Sequence, residues 1–83
     1  MLLQTKKLTK LRQKIDETDQ KIAKLLRQRK KTVQQIQKLK LKNKLPIADK
    51  TREKEILDKF KTQYEQSIFK EIIRQSKKQS HTP

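Results

Sequence analysis

Residues 8–39 read LTKLRQKIDETDQKIAKLLRQRKKTVQQIQKL, and positions spaced alternately three and four residues apart along this stretch are mostly apolar. That spacing places them along one face of a single long helix. We call this face the seam; its ten positions are Leu8, Leu11, Ile15, Thr18, Ile22, Leu25, Arg29, Thr32, Ile36 and Leu39. Seven of the ten are aliphatic. Because a chain of 83 residues cannot cover so long an apolar face by itself, the seam predicts a two-fold dimer.

One seam position is an arginine, Arg29. Burying an unpaired guanidinium costs on the order of several kcal/mol. An anionic group that meets Arg29 in the seam would remove that cost. The alternatives are a local water-filled gap, an arginine whose head reaches solvent, or a polar seam residue that sets the register of a coiled coil.

Composition limits the classes of site and compartment. The length allows one domain, residues 1–83, and the absence of cysteine excludes disulfides and thiolate metal sites. The single histidine, His81, lies in an expected disordered tail over residues 81–83, which argues against histidine chemistry. No apolar run is long enough to span a bilayer, and Met1, Leu2 and Leu3 do not resemble a secretory leader. We therefore expect a soluble, cytoplasmic protein with no membrane partner.

The formal net charge is +15, of which residues 1–48 carry +12 and the remainder +3. Such an excess favours an anionic partner: nucleic acid, a membrane surface or a small polyanion. A solvated lysine-rich surface is the alternative, since lysine far outnumbers arginine. A basic helical nucleic-acid-binding protein remains an open hypothesis. Specific nucleic-acid binding is not expected, because only three residues are aromatic and the basic residues form no contiguous block.

Helix formers dominate the chain, which has no glycine and only one internal proline, Pro46. The sequence predicts a first helix from about Leu3 to Asn43, on the order of 60 Å long. Proline and its restriction of the preceding residue predict a loop over residues 43–48. Asp49 is then the expected N-cap of a second helix.

Helical spacing continues after the loop, so the predicted fold class is all-α. The apolar residues there are Ile56, Leu57, Phe60, Tyr64, Ile68, Phe69, Ile72 and Ile73. Two readings stay open: a turn near Gln63 to Gln66, or one unbroken helix from Lys50 to about Ser80.

Two groups of charged residues could bind a small molecule. Lys40 lies eleven residues after Arg29, which returns it to within about 20° of the same helix face. Asp49 and Glu53 are four residues apart and share a face, with Arg52 beside them. Four is also ordinary surface spacing, and Asp49 has the competing role of a cap.

The sequence contains no nucleophile–base arrangement, no glycine-rich phosphate loop and no metal-ligand cluster. We therefore expect no metal and no cofactor. If the protein is an enzyme, its chemistry depends on positioning and fixed charges alone.

In order along the chain, these motifs resemble the all-helical (type II) chorismate mutases. The resemblance covers roughly Leu8 to Ser80, and its specificity lies in the ordered set rather than in any one piece. The matching residues are Leu11-Arg12-Gln13-Lys14-Ile15-Asp16, Asp19, Leu25-Leu26, Arg29, Lys40, Pro46-Ile47, Asp49, Arg52-Glu53, Phe69, Ile72-Ile73 and Ser76.

The resemblance implies an intertwined homodimer with three helices per chain, one long N-terminal helix and two shorter ones. It also implies an isomerase that rearranges chorismate to prephenate in phenylalanine and tyrosine biosynthesis, without a cofactor. Arg29 would bind one substrate carboxylate, and Arg12 would reach across the dimer interface to bind the other. Ser76 would bind a carboxylate from the last helix.

The remaining roles implied by the resemblance concern the ether oxygen and the hydroxyl of the substrate. Lys40 would hydrogen-bond the ether oxygen and a carboxylate. Asp49 and Glu53 would hold the substrate hydroxyl, and Glu53 would also position Lys40. Arg52 would have a supporting role.

Two features depart from the family pattern. Ser80 stands where the family usually has glutamine or glutamate as a second donor to the ether oxygen, and Gln79 lies one residue earlier. The stretch between Arg52 and Phe69 is also shorter than in the enterobacterial members of the family. An isochorismate pyruvate-lyase of the same fold and a weakly active chorismate-binding relative are the alternatives within the family.

Overall fold

The computed structural model describes residues 2–46 and 49–79. Within these ranges the chain is all-helical, with three helices and no strand: α1 spans Leu2–Lys42, α2 spans Lys50–Asp58 and α3 spans Gln63–Gln79. The predicted all-α class and the three helices are confirmed. Ile47, Ala48 and the expected tail at residues 81–83 lie outside the described residues.

The end of α1 is a Schellman motif built without glycine. Lys44 adopts the left-handed conformation, with φ of 57°. Its N–H donates to the Leu41 carbonyl at 3.2 Å, and the Leu45 N–H donates to the Lys40 carbonyl at 2.7 Å. These two bonds satisfy carbonyls that the helix leaves unpaired at its end. Pro46 follows and cannot continue the helix, so α1 ends within one residue of its predicted boundary.

The break between α2 and α3 lies earlier than the predicted turn. The helix α2 ends at Asp58, and the Lys59 N–H closes its last turn on the Ile56 carbonyl. Thr62 then caps α3, because its hydroxyl oxygen accepts the Glu65 N–H at 3.1 Å. The expected turn between the two helices is present, but it lies at residues 59–62 rather than near 63–66, because those residues form the first turn of α3. The alternative of one unbroken helix from residue 50 to residue 80 is wrong, because α2 ends at Asp58 and α3 begins at Gln63 behind the Thr62 cap.

The structure consists of two compact units, residues 1–31 and residues 32–83. In the first unit, the described residues all belong to α1. Its seam leucines and isoleucines are exposed in the single chain. The prediction of one domain over residues 1–83 stays a prediction.

The second unit has a small core of its own, formed where α2 and α3 pack against each other. Ile73 is 8% exposed, and it is the one buried hydrophobic residue in the part of the chain that the structure describes. The rings of Phe60 and Phe69 stack with centroids 3.9 Å apart, and Gln66 Nε2 donates to the Phe60 carbonyl at 3.0 Å. These contacts close the turn between α2 and α3.

No helix within residues 2–46 and 49–79 has both the length and the apolar character needed to cross a membrane.

Candidate functional site

A pocket of about 190 Å³ lies between α2 and α3 in the second unit. We call it the α2–α3 pocket; its lining residues are Glu53, Leu57, Lys70, Ile73, Arg74 and Lys77. Two of them are apolar, three are cationic and one is acidic. The pocket therefore combines an apolar wall with an excess of positive charge, a combination that suits a small organic anion.

Glu53 is bound across this pocket by Lys77. The Lys77 Nζ lies 2.7 Å from Glu53 Oε1, and the two side chains are 46% and 24% exposed. Glu53 lies in the first turn of α2, where the helix dipole favours a negative charge. A carboxylate that is three-quarters removed from solvent needs such a partner, because burial of an unpaired charge is costly.

Ser76, on the last turns of α3, is half-buried. Its hydroxyl donates to the Ile72 carbonyl at 2.8 Å, and its own carbonyl accepts a hydrogen bond from Gln37 Nε2 at 3.1 Å. That carbonyl is one of the last four of α3, which lack partners within a regular helix. The α1 segment of the second unit is thereby attached to the C-terminal part of α3.

Asp49 caps α2, as the sequence predicted. Its backbone is extended, with φ of −137° and ψ of 96°, and its Oδ1 accepts the Arg52 N–H at 3.0 Å. This bond uses one carboxylate oxygen, so capping and ligand binding are compatible at Asp49. The exposed Arg52 guanidinium lies 3.5 Å from Glu55 Oε2, at the outer limit of a hydrogen bond.

The exposed face of α3 carries a separate charge network. Arg74 Nε donates to Glu71 Oε2 at 2.8 Å, a second guanidinium nitrogen bonds Glu71 Oε1, and Gln75 Nε2 donates to the same oxygen at 3.0 Å. The hydrogen bonds from Arg74 and then Gln75 lower the pKa of Glu71 to about 2. The hydrogen bond between Arg74 and Glu71 also raises the pKa of Arg74. Much of the Arg74 charge is therefore directed at Glu71 rather than into the α2–α3 pocket.

The type II chorismate mutase family model matches residues 11–81. This chain belongs to that family. The match includes every predicted site residue, from Arg12 to Ser76, and confirms the resemblance found in the sequence. A search of curated proteins and a search of solved structures found no match.

Within the second unit of this chorismate mutase family member, the structure brings two predicted site residues, Glu53 and Ser76, to one region. Glu53 on α2 pairs with Lys77, the residue that follows Ser76 on α3. Lys40 is half-buried in the last turn of α1, one turn beyond Gln37. Asp49 lies at the start of α2, one turn before Glu53.

The first unit carries two predicted site residues, Arg12 and Arg29. Arg12 is exposed and Arg29 is half-buried. Arg29 and Lys40 each make a polar or electrostatic interaction in the structure. The convergence of Arg29 and Lys40 on one ligand and the reach of Arg12 into the other copy stay predictions. Ser80 lies outside the described residues, and Gln79 is the last residue of α3.

Several residues around the site were not identified from the sequence, namely Gln37, Lys70, Arg74 and Lys77. A usable signal existed for the last three. Together with Ile73 they follow the i, i+3, i+4, i+7 spacing of one helix face, so three cations flank the buried residue of α3. Gln37 carried no such signal, because a glutamine on a lysine- and glutamine-rich helix does not stand out.

The described residues contain no group of three or more histidine, cysteine, aspartate or glutamate side chains that could hold a metal ion.

Proposed function

We propose that this protein is a chorismate mutase that rearranges chorismate to prephenate, acting in the cytoplasm on the route to phenylalanine and tyrosine. The family match over residues 11–81 carries the proposal, because it spans all seven residues to which we assign a role. The reaction is intramolecular: one C–O bond breaks while one C–C bond forms. No atom is gained or lost, so fixed charges and positioning suffice.

The substrate's two carboxylates are the groups that hold it in place. In our proposal Arg29 binds one, Arg12 of the partner subunit binds the other, and Ser76 adds a hydrogen bond from α3. Fixing both carboxylates holds the side chain of chorismate over its ring in the reactive geometry, which removes much of the entropic barrier.

Lys40 acts on the bond that breaks. Negative charge develops on the ether oxygen in the transition state, and an ammonium there stabilises the transition state more than the bound substrate. The half-buried position of Lys40 supports this role, because partial exclusion of water strengthens the electrostatic interaction.

The carboxylates of Asp49 and Glu53 accept hydrogen bonds from the substrate hydroxyl in our proposal. The cap uses Oδ1 of Asp49 and the ion pair uses Oε1 of Glu53, and each carboxylate has further acceptor sites. We assign these sites to the hydroxyl and, at Glu53, also to the Lys40 ammonium. Arg52, which precedes Glu53 in the first turn of α2, has a supporting role.

The proposal includes a two-fold dimer in which the seams of two copies pair. Its support is the exposure of the seven aliphatic seam residues, each between 46% and 61% in the single chain. Fully burying an exposed aliphatic side chain gains roughly 1.5–3 kcal/mol, so covering the exposed half of each of these gains about half as much. A dimer also explains how Arg12, which is exposed, would reach an active site.

The test is the loss of chorismate absorbance with purified protein, with prephenate identified as the product. Lys40→Gln should lower kcat roughly 100- to 1,000-fold, the usual effect of removing one preorganised donor. Lys42→Gln removes an exposed lysine from the same turn and should leave kcat unchanged. Unchanged chorismate, or equal losses in the two variants, would refute the proposal.

The same protein distinguishes the alternatives. Release of pyruvate from isochorismate without prephenate formation would identify a lyase. Binding to duplex DNA should be weak and should vanish near physiological salt, since log K follows the number of phosphates neutralised. Tight, sequence-selective binding at that salt would favour a nucleic-acid-binding protein instead.

A further inference from the structure

We propose that Lys77 is a positioning residue of this active site, which fixes the carboxylate of Glu53 from α3. The inference rests on the proposed function, because it assigns Lys77 to the reaction through Glu53. It adds a residue that the sequence motifs did not identify.

The Lys77–Glu53 pair differs from the ion pairs Arg52–Glu55 and Arg74–Glu71. Those two each join residues three apart on one helix, and all four side chains are more than half exposed. Such pairs contribute little. Lys77–Glu53 instead joins α3 to α2 at 2.7 Å, and its carboxylate is 24% exposed. It therefore fixes the relation between two elements of the site.

The turn of α3 that carries Lys77 is held from a second direction. Gln37 on α1 donates to the carbonyl of Ser76, the residue immediately before Lys77. Consecutive residues of α3 are thus bound by α1 and by α2. A side chain held on an anchored turn has less freedom to move, so Lys77 presents its ammonium to Glu53 from a fixed base.

The ammonium acts on Glu53 in two ways. An ammonium only donates hydrogen bonds, so by engaging Oε1 it fixes the plane of the carboxylate and directs the remaining acceptor sites. It also offsets the negative charge of Glu53, which would otherwise repel a substrate with two carboxylates. Both effects serve a site that must bind a dianion and still offer an acceptor to its hydroxyl.

The experiment measures kcat and KM for chorismate in wild-type protein, Lys77→Gln and Lys77→Arg. A small misplacement of a reacting group can cost on the order of 100-fold, so we expect Lys77→Gln to lower kcat roughly 10- to 100-fold with a smaller change in KM. Lys77→Arg keeps a cation within reach of Glu53 and should restore most of kcat. Lys78→Gln removes the neighbouring exposed charge, which acts on Glu71, and should keep wild-type kinetics.

A double-mutant cycle tests whether Lys77 acts through Glu53. In a Glu53→Gln background, Lys77→Gln should cost less than about threefold further, because the group it positions is already gone. The double variant has no unpaired carboxylate at this site, so it also provides the measurement if the Lys77→Gln protein loses its helicity.

Each outcome has a distinct meaning. Suppose the wild-type protein converts chorismate. If Lys77→Gln then has a normal kcat, or if the losses of the two single variants multiply in the double variant, the role of Lys77 is overturned and the proposed function stands. A folded Lys77→Arg protein as slow as Lys77→Gln would also overturn it. A wild-type protein that does not convert chorismate would overturn both proposals.

Discussion

The two units of this chain are held in different ways. Within residues 1–31, the side-chain hydrogen bonds of Thr9 and Thr18 reach only the carbonyl four residues back on the same helix. The second unit, by contrast, contains a stacked aromatic pair, a buried isoleucine and an ion pair between helices. Local periodicity thus suffices to form the first unit as a helix but leaves its apolar face uncovered, whereas the second unit covers part of its own.

The largest expected effect tests whether the first unit depends on a partner. Ile15→Asp places a charge in the middle of the seam, where dimer formation would bury it at a cost on the order of several kcal/mol. The dimer should dissociate, and helicity should fall with it, as measured by sedimentation and circular dichroism. Gln20→Asp introduces the same residue off the seam and should remain dimeric. A well-folded monomer of the wild-type protein at micromolar concentration would contradict the role of the seam.

Arg29→Leu separates assembly from activity at the one charged seam position. It restores an apolar seam, so the dimer should be as stable or more stable, because apolar residues often replace buried charges at no cost. Activity should fall by roughly 2–4 kcal/mol of transition-state stabilisation, as for the loss of one preorganised donor. Melting temperature and kcat/KM on this variant give both answers. A destabilised dimer with near-normal turnover would show instead that Arg29 is structural.

Ile73→Ala tests whether the second unit has a core of its own. Removing a buried isoleucine side chain should cost about 2–3 kcal/mol, toward the lower end of the range because the adjacent pocket lets the site relax. Ile68→Ala makes the same deletion on the same helix at a residue that is 44% exposed, and should cost less than about 1 kcal/mol. Equal losses in urea unfolding would contradict the view that Ile73 marks the core of this unit.

Thr62→Ala sharpens the account of the break between α2 and α3. Loss of the cap should destabilise the protein by about 1 kcal/mol, because the Glu65 N–H loses its partner. Thr51→Ala, the same substitution in the first turn of α2, should have a smaller effect because alanine is the better helix former. An unchanged unfolding midpoint in Thr62→Ala would mean that the aromatic pair alone sets the break.

The smallest expected effect concerns acid. The folded-state pKa of Glu71 lies near 2, below the ordinary value of 4.5, so its bonds to Arg74 and Gln75 stabilise the folded chain above pH 4.5. That contribution is lost as the pH falls from 4.5 toward 2, because protonation removes the acceptor. Glu71→Gln should therefore flatten the decline of melting temperature over this range. The difference should be small, since the pair is exposed, and Arg74→Gln should reproduce it.

Much of the fold followed from the sequence because helices are local. The three- and four-residue spacing fixed α1 and its seam, Pro46 fixed where α1 ends, and Asp49 marked the start of α2. The turn before α3 was misplaced because Thr62 and the glutamines after it are all polar. Only the hydrogen bond from the Glu65 N–H to Thr62 showed that Thr62 is the residue that caps the start of α3.

For the site, the ordered motifs identified the family and the candidate residues from Arg12 to Ser76, since each motif is a local pattern of residue types. The pairing of Lys77 with Glu53 and the bond from Gln37 to the Ser76 carbonyl were not readable in this way. Helical periodicity determines which face of a helix a residue lies on, but not which residue of another helix it meets. That choice depends on how α2 and α3 pack, and packing is a property of the folded unit, so only the tertiary structure decided it.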